Sequence, residues 1–218
     1  RSSPAQSGPN MISKDLERTV LELFTLPPIP KQGRGRLVGV AMALFYYHGI
    51  TPIGLDRILA EADVSKTTFY KHFESKDELV VATIEMRDAW QMTAWTRGVE
   101  ALVGRDARDQ LLAVFDVLDL VINAPEFRGC QFINAAAEFP NPHDPIHRAA
   151  VQHKQGNRAW FRELAERAET RDPDAFTDAY TMLFEGALVL RQVHDRDDAA
   201  QAARPHVERL IDAFVLAR

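Results

Sequence analysis

Fifteen residues, Val64 to Glu78 (VSKTTFYKHFESKDE), constrain the fold more than any other stretch, because two helix starts are written into them. Ser65 stands as an N-cap whose hydroxyl can accept from the free N–H groups of the next turn. Val64 and Phe69 then occupy N′ and N4, the two positions of a hydrophobic staple. Ser75-Lys76-Asp77-Glu78 reads as a capping box that opens a second, longer helix. Only about two turns of helix fit between the two starts.

That short helix has unlike faces. Phe69 and Phe73 are four apart and share a face with Val64. Thr67 and Lys71 fall opposite, flanked by Thr68 and Tyr70, so the outer face carries hydroxyls, a phenol and an ammonium with no carboxylate. Such a face suits base edges and phosphates, though a solvated surface helix has the same look. The upstream residues favour the first reading. Leu55–Glu61 is a short amphipathic helix with Leu55, Ile58 and Leu59 on one side, and Ala62-Asp63-Val64 is a tight turn. Helix, short turn, helix with a polar outer face is the helix-turn-helix unit.

At this point the chain resembles the TetR family of transcriptional regulators. Ile58, Ala62, Val64-Ser65, Thr68-Phe69-Tyr70, His72-Phe73 and Lys76 through Leu79 match its pattern without gaps, within residues 37–80. Two positions depart from it. The family usually has Gly where Asp63 stands, at a left-handed turn position that Asp tolerates, so the turn is expected to be kept. It usually has Thr or Ser where Gly54 stands. Gly caps without a hydroxyl, and Thr51-Pro52 offers an alternative start one turn earlier, with Pro at N1. The resemblance implies a DNA-facing set of Thr51, Gly54, Ser65, Lys66, Thr67, Thr68, Tyr70, Lys71, His72 and Lys76. Lys76, at a helix N-terminus, is expected on a phosphate.

Charge agrees with a double-stranded DNA partner only locally. The whole chain carries −5, but residues 64–76 are net +2 and residues 31–36 net +3, and local sign governs steering to DNA. Lys31-Gln32-Gly33-Arg34-Gly35-Arg36 reads as a flexible basic arm, either a solvated linker or a segment for the minor groove. One cysteine, Cys130, excludes an internal disulfide framework and fits a reducing cytoplasm. No apolar run approaches the roughly 20 residues that span a bilayer, and no signal peptide is visible. There is no CxxC, GxGxxG or P-loop pattern, and no cofactor is expected. Residues 1–10 read as a tail, with Met11 a possible native start.

No segment alternates with period two for long, so the chain is expected to be all-α. Ser13 to Leu26 forms a helix with Ile12, Leu16, Val20, Leu23 and Phe24 on one face, stopped by Pro27, Pro28 and Pro30. It lies outside the TetR pattern and is expected to dock on the body or on a partner subunit. The first family helix runs from about Arg36 to His48, with Gly49 as its stop. The helix opened by Ser75 continues towards Val99 and links head to body. Further helices are expected at Asp109–Asn123, Gln131–Phe139, Asp144 to about Thr170, and Asp172 to about His194. Val207, Leu210, Ile211 and Phe214 mark the last, which Pro205 must begin or kink. The organisation is an N-terminal extension (1–30), a helix-turn-helix DNA-binding head (31–80) and a helical-bundle body for effector binding and dimerisation (81–218).

In the body, Asn134 and Glu138 are four apart among alanines, in a stretch that resembles one TetR branch. They read as polar anchors of an effector pocket or as a buried structural pair. Trp90, Phe115, Leu118, Phe132, Trp160 and Phe184 stand at inward phases. Together these residues predict a cavity between the Ser75 helix and those carrying Phe115, Asn134, Trp160 and Phe184. Its ligand is expected to be mostly apolar, with a hydrogen-bonding or cationic group if Glu138 faces inward. An unpaired buried carboxylate is costly, so Glu138 paired with Arg191 is the alternative. Cys130 is expected to pack as a small apolar group. His143, Asp144 and His147 cluster, but His143 lies between two prolines before the helix, which spoils metal-ligand spacing. No metal and no catalytic residue is assigned. Ala175–Val193 is apolar on most of its circumference. In the TetR family the last two helices pair with their copies, which assigns Met182, Gly186, Val189, Leu210 and Phe214 to a homodimer interface. The core helix of a monomer is the alternative.

The resemblance thus implies a sequence-specific regulator, most simply a repressor, whose two heads read a pseudo-palindrome. A small-molecule effector would swing Ser75–Val99 and change head spacing. The rival readings are an architectural DNA binder without effector, whose body would lack a cavity, and a helical metal-binding protein or enzyme using His143, Asp144, His147 and Glu138.

Overall fold

The computed structural model describes residues 12–215; the tail expected at residues 1–10 and Met11 lie outside the described residues. Among the described residues ten helices follow one another: α1 (Lys14–Leu23), α2 (Gly33–His48), α3 (Leu55–Ala62), α4 (Lys66–Tyr70), α5 (Lys76–Val103), α6 (Ala107–Ile122), α7 (Gln131–Glu138), α8 (Pro145–Arg167), α9 (Pro173–His194) and α10 (Ala199–Phe214). Among the described residues there is no strand, only an isolated bridge between Thr170 and Val215, and no helix is long and apolar enough to cross a membrane.

The helix starts follow local chemistry. Ser13, Ser65, Ser75, Asp106, Asp144 and Asp172 each accept a backbone N–H of the turn they precede, which satisfies donors that no intrahelical carbonyl can reach. At α5 the box closes one residue early. Glu78 N–H donates to Ser75 Oγ (3.1 Å), while the Glu78 carboxylate takes the Glu74 N–H (2.6 Å) rather than that of Ser75. Asp63 adopts φ 53°, ψ 51°, the left-handed turn geometry expected of it.

Two expectations give way, and a third is narrowed to one of its alternatives. The basic segment is not a flexible arm: α2 begins at Gly33, so Arg34 and Arg36 are helical. Arg34 lies over the Phe73 ring at 4.8 Å and Arg36 donates to the Ala62 carbonyl, binding α2 to the helix-turn-helix. Thr51-Pro52 starts no helix, because Gly54 is the N-cap of α3, without a side-chain bond. Pro205 does not begin the last helix but lies inside α10, which starts six residues earlier at Ala199. The carbonyl that Pro205 leaves without its helical donor belongs to Gln201, an exposed position.

Head and body share one continuous core. α2 is buried on nearly its whole circumference, between α3 and α5. α1 lies across α5 and α6, with Val20 fully buried and Phe24 edge-on to Trp95 at 5.2 Å. In the body, Phe115, Phe161, Tyr180 and Phe184 pack with ring centroids 4.9 to 6.1 Å apart, in the edge-on contacts aromatic quadrupoles favour. The buried Tyr180 hydroxyl donates to the Leu111 carbonyl at 2.7 Å, because a buried phenol needs an acceptor. Truncating one of these rings to Ala costs about 3–5 kcal/mol.

Candidate functional site

α4 is only five residues long, so its position comes from packing. Phe69 and Phe73 are buried behind it with centroids 5.7 Å apart. Lys66, Thr67, Tyr70 and Lys71 face solvent, Tyr70 at 55% exposure. Ser65 and Thr68 are partly spent on the cap: their hydroxyls lie 2.9 Å apart, and Thr68 N–H donates to Ser65 Oγ at 3.1 Å. His72 is half-buried, and Gly54 and Thr51 are exposed. The outer face is therefore cationic and hydroxyl-rich over a rigid apolar backing, which is what a major-groove reader needs.

Behind this head lies a joint to the body. Gly49 ends α2 at φ 81°, where a Cβ would meet Glu138 Oε1 at 3.3 Å. From α7, the Glu138 carboxylate accepts from Ile50 N–H (3.0 and 3.1 Å) and Thr51 N–H (2.6 Å). Lys76 Nζ donates to the Ile50 carbonyl at 2.8 Å. Burial alone would raise the Glu138 pKa. The Ile50 and Thr51 N–H groups, the Thr51 hydroxyl and the Lys76 ammonium together hold it below the usual carboxylate range. Burial lowers the Lys76 ammonium, with Asp77 and Glu138 opposing. Glu138 is thus a structural clamp between body and head, and its partner is not Arg191, which donates to Asn123 (3.2 Å) and pairs with Asp195.

A cavity of about 330 Å³ opens among α1, the end of α2, α5, α6 and the turn after α6. Phe24, Trp95, Leu118, Ile122, Phe127 and Leu188 make apolar walls, with Tyr46, Arg87, Gln91 and Gln131 among the polar lining. The Arg87 guanidinium lies against both the Tyr46 and the Trp90 rings, 4.7 Å from each centroid. Its Nε and Nη1, and both amide atoms of Gln131, are buried without a hydrogen-bond partner. Burial lowers the Arg87 pKa, against the opposing pull of Tyr46, Cys130 and Tyr47 and a hydrogen bond to the Tyr46 side chain.

Of the lining residues expected from sequence, only Leu118 borders this cavity. Phe115 and Phe184 are core. Phe132 stacks on His153 at 3.4 Å, and Trp160 lies against Phe161 at 5.4 Å. Trp90 backs Arg87 rather than lining the space. Asn134 and Glu138 border a neighbouring crevice of about 310 Å³ between the end of α2 and α7. Both are engaged there: Asn134 Oδ1 accepts from Gln192 Nε2 at 2.7 Å. Gln192 also takes the Cys130 N–H (3.0 Å), where Gly129 at φ 87° leaves room for it: a Cβ would come within 2.6 Å of the Gln192 side chain. The large rings fill their own helix contacts, and the open space is displaced towards α1. Sequence reading passed over Arg87, Gln91, Gln131 and Tyr46. The available signal was in α5, where Arg87 and Gln91 occupy the inward phase between Ile84 and Trp95.

On the far side, Met182, Gly186, Val189 and Val193 form an exposed stripe along α9, Met182 at 73% and Val193 at 68% exposure. Leu210 and Phe214 are half-buried, with Phe214 edge-on to Phe176 at 5.9 Å. His143 is exposed, and His147 Nδ1 lies 2.8 Å from the Phe139 carbonyl. The described residues hold no cluster of three or more side chains fit for a metal ion.

Residues 37–83 match the profile of bacterial regulatory proteins of the tetR family, and residues 107–207 that of the tetracyclin repressor-like C-terminal domain. The chain is 25% identical over 174 residues to the HTH-type transcriptional regulator YjdC of Escherichia coli, covering 78% of this chain and 91% of that one. A TetR-family transcriptional regulator from Streptomyces coelicolor superposes with a TM-score of 0.75 at 33% identity, over 84% of this chain and 96% of the other. A putative regulator of the same kind from Streptomyces avermitilis gives 0.73 at 32%, over 84% and 98%.

Proposed function

Because the chain belongs to the TetR family of DNA-binding transcriptional regulators, we propose that it is a homodimeric repressor released from its operator by a small molecule held in the body cavity. Residues 31–80 act as the head and 81–218 as the body, working on cytoplasmic DNA. Lys66, Thr67, Tyr70 and Lys71 of α4 read the major groove. Thr51, Gly54, Ser65, Thr68, His72 and Lys76 lie around the phosphates, Lys76 through the ammonium donors that Ile50 does not take. The exposed stripe on α9, continued by Leu210 and Phe214, covers the same stripe of a second copy, since a contiguous apolar face this exposed marks an interface.

One observation carries this reading. α5 starts at Lys76, shortly after the recognition helix, and its Arg87, Gln91 and Trp95 line the cavity. Arg87 stands about 16 Å along the helix from its start. A ligand that shifts α5 shifts the head with it, provided it binds the two head positions unequally. Glu138 and Lys76 grip the same loop from α7 and α5, so the joint carries that displacement rather than absorbing it.

The test is operator binding by fluorescence anisotropy on fragments selected from the source genome. Thr67→Ala and Tyr70→Ala should each weaken specific binding by about 10- to 100-fold with little change on random DNA. Lys76→Ala should weaken all sequences alike and lower the salt slope by about one unit. Met182→Asp should give monomers without operator affinity. A Met182→Asp monomer that still binds the operator with full affinity would overturn the dimer, and unchanged binding by both α4 variants would overturn the assignment of the reading face.

A further inference from the structure

We propose that the body cavity is built for a small organic monoanion, a carboxylate on a largely apolar body, with Arg87 and Gln131 as its polar anchors. The inference rests on the effector reading only in taking the cavity as a ligand site. Arg87 is the one cation among the described lining residues, and Glu126, the one acid, is solvent-exposed and makes no ion pair with it. A guanidinium removed from water without a carboxylate is costly, and its two aromatic neighbours offset only part of that cost. Two of its nitrogens have no acceptor. Gln131, in the same lining and only 5% exposed, leaves both its amide N–H₂ and its carbonyl unanswered. A bound carboxylate would accept from the Arg87 guanidinium and from the Gln131 amide N–H₂, through charge-assisted bonds of the stronger kind.

The charge count selects the class. One largely buried cation balances one negative charge. A phosphate dianion would bring a second charge with nothing to meet it, and a ligand cation would face the guanidinium as a like charge. The walls decide the rest: Phe24, Trp95, Leu118 and Phe127 suit an apolar, preferably flat, remainder. The rings of Tyr46 and Trp90, each 4.7 Å from the guanidinium, restrict it before any ligand arrives, so less ordering is left to be done on binding.

The experiment is calorimetric titration of the full chain with three length-matched probes: 3-phenylpropanoate, 3-phenylpropanamide and 3-phenylpropylamine, at constant ionic strength. The anion should bind at least about 10-fold tighter than the amide, and the amine not measurably. Arg87→Met should remove about 10- to 100-fold of the anion's affinity and leave the amide's unchanged. If Arg87→Met fails to fold, Gln131→Leu should cost the anion several-fold and Val121→Trp, which fills the cavity, should abolish binding of both. Equal affinities for anion and amide, or an anion affinity indifferent to these substitutions, would overturn the proposal while leaving an effector of another class possible. Anion binding that Arg87→Met removes, with no change in operator affinity, would support the site and overturn instead the reading of it as the regulatory one.

Discussion

Two charged side chains lie on either side of the end of α2, and they are treated in opposite ways. At the joint, Glu138 meets two backbone N–H groups and lies near a lysine, and the lysine in turn meets a backbone carbonyl. At the cavity, Arg87 and Gln131 together leave four buried polar atoms without partners. Natural proteins satisfy nearly all buried polar groups, so the difference separates two kinds of charge. One with every partner present is part of the structure. One whose partners are missing, beside an open space, is arranged for something that is not protein.

Breaking the joint should have the largest effect. Glu138→Leu leaves the Ile50 N–H unmet in a partly buried place, and should cost about 1–3 kcal/mol. Thermal unfolding should fall by roughly 3–10 °C for a chain of this size. Because the Glu138 pKa is depressed in the folded state, the wild-type contribution is present above the ordinary carboxylate pKa and lost as pH falls through the folded value. The melting difference between wild type and Glu138→Leu should therefore shrink below about pH 4. A constant difference from pH 7 to 3.5 would show that the clamp does not depend on its charge.

A third buried group sharpens the contrast, because it is satisfied only while neutral. His153 bonds Asp88 through Nδ1 (2.7 Å) and Asn157 through Nε2 (3.1 Å). With the proton on Nδ1 the ring donates to the carboxylate and accepts from the amide. Burial pushes its pKa down to about 4, with Lys154 and Arg87 acting the same way and Asp88 opposing. The unfolded chain then binds this proton before the folded one does. Stability should fall as pH drops from about 6.5 towards 4, and His153→Gln should flatten that stretch of the melting curve. An equally steep fall in the variant would assign the acid sensitivity elsewhere.

Smaller, and opposite in sign to the joint, is the apo protein's response at Arg87. Replacing a largely buried cation that has no acidic partner by an apolar side chain of similar length is neutral or favourable. Arg87→Met should thus leave the ligand-free melting temperature unchanged or raise it by a few degrees. A loss as large as that of Glu138→Leu would mean that the two aromatic contacts outweigh the desolvation, and the contrast between the regions would collapse.

The head was legible and the cavity was not, for physical reasons visible in particular residues. Caps at Ser65 and Ser75, the left-handed Asp63 and the paired Phe69 and Phe73 are local devices that act within a few residues. The joint and the cavity depend on contacts between distant segments. Ile50 and Glu138 are 88 positions apart, and the cavity exists because α1, a helix outside the family pattern, lies over α5 and α6. Large inward-phase rings such as Phe115 and Phe184 signal a core, and the sequence does not say whether a core closes. The unexpected polar residue at an inward phase, Arg87, was the better pointer.

The smallest effect tests whether the contrast is about burial or merely about counting partners. The N-terminus of α3 also leaves donors unmet, since Gly54 caps it without a side-chain bond. Gly54 is exposed, however, and an added Cβ there meets nothing within 4 Å, so those N–H groups are open to water. Its φ of −75° and ψ of 158° are the extended geometry that a Ser cap adopts. Gly54→Ser should therefore stabilise by only a few tenths of a kcal/mol, raising the melting temperature by about 1 °C. It should also tighten operator binding modestly if the new hydroxyl meets a phosphate. A gain of several degrees would mean that water does not satisfy these donors, and that unmet groups cost as much at the surface of the head as beside Arg87.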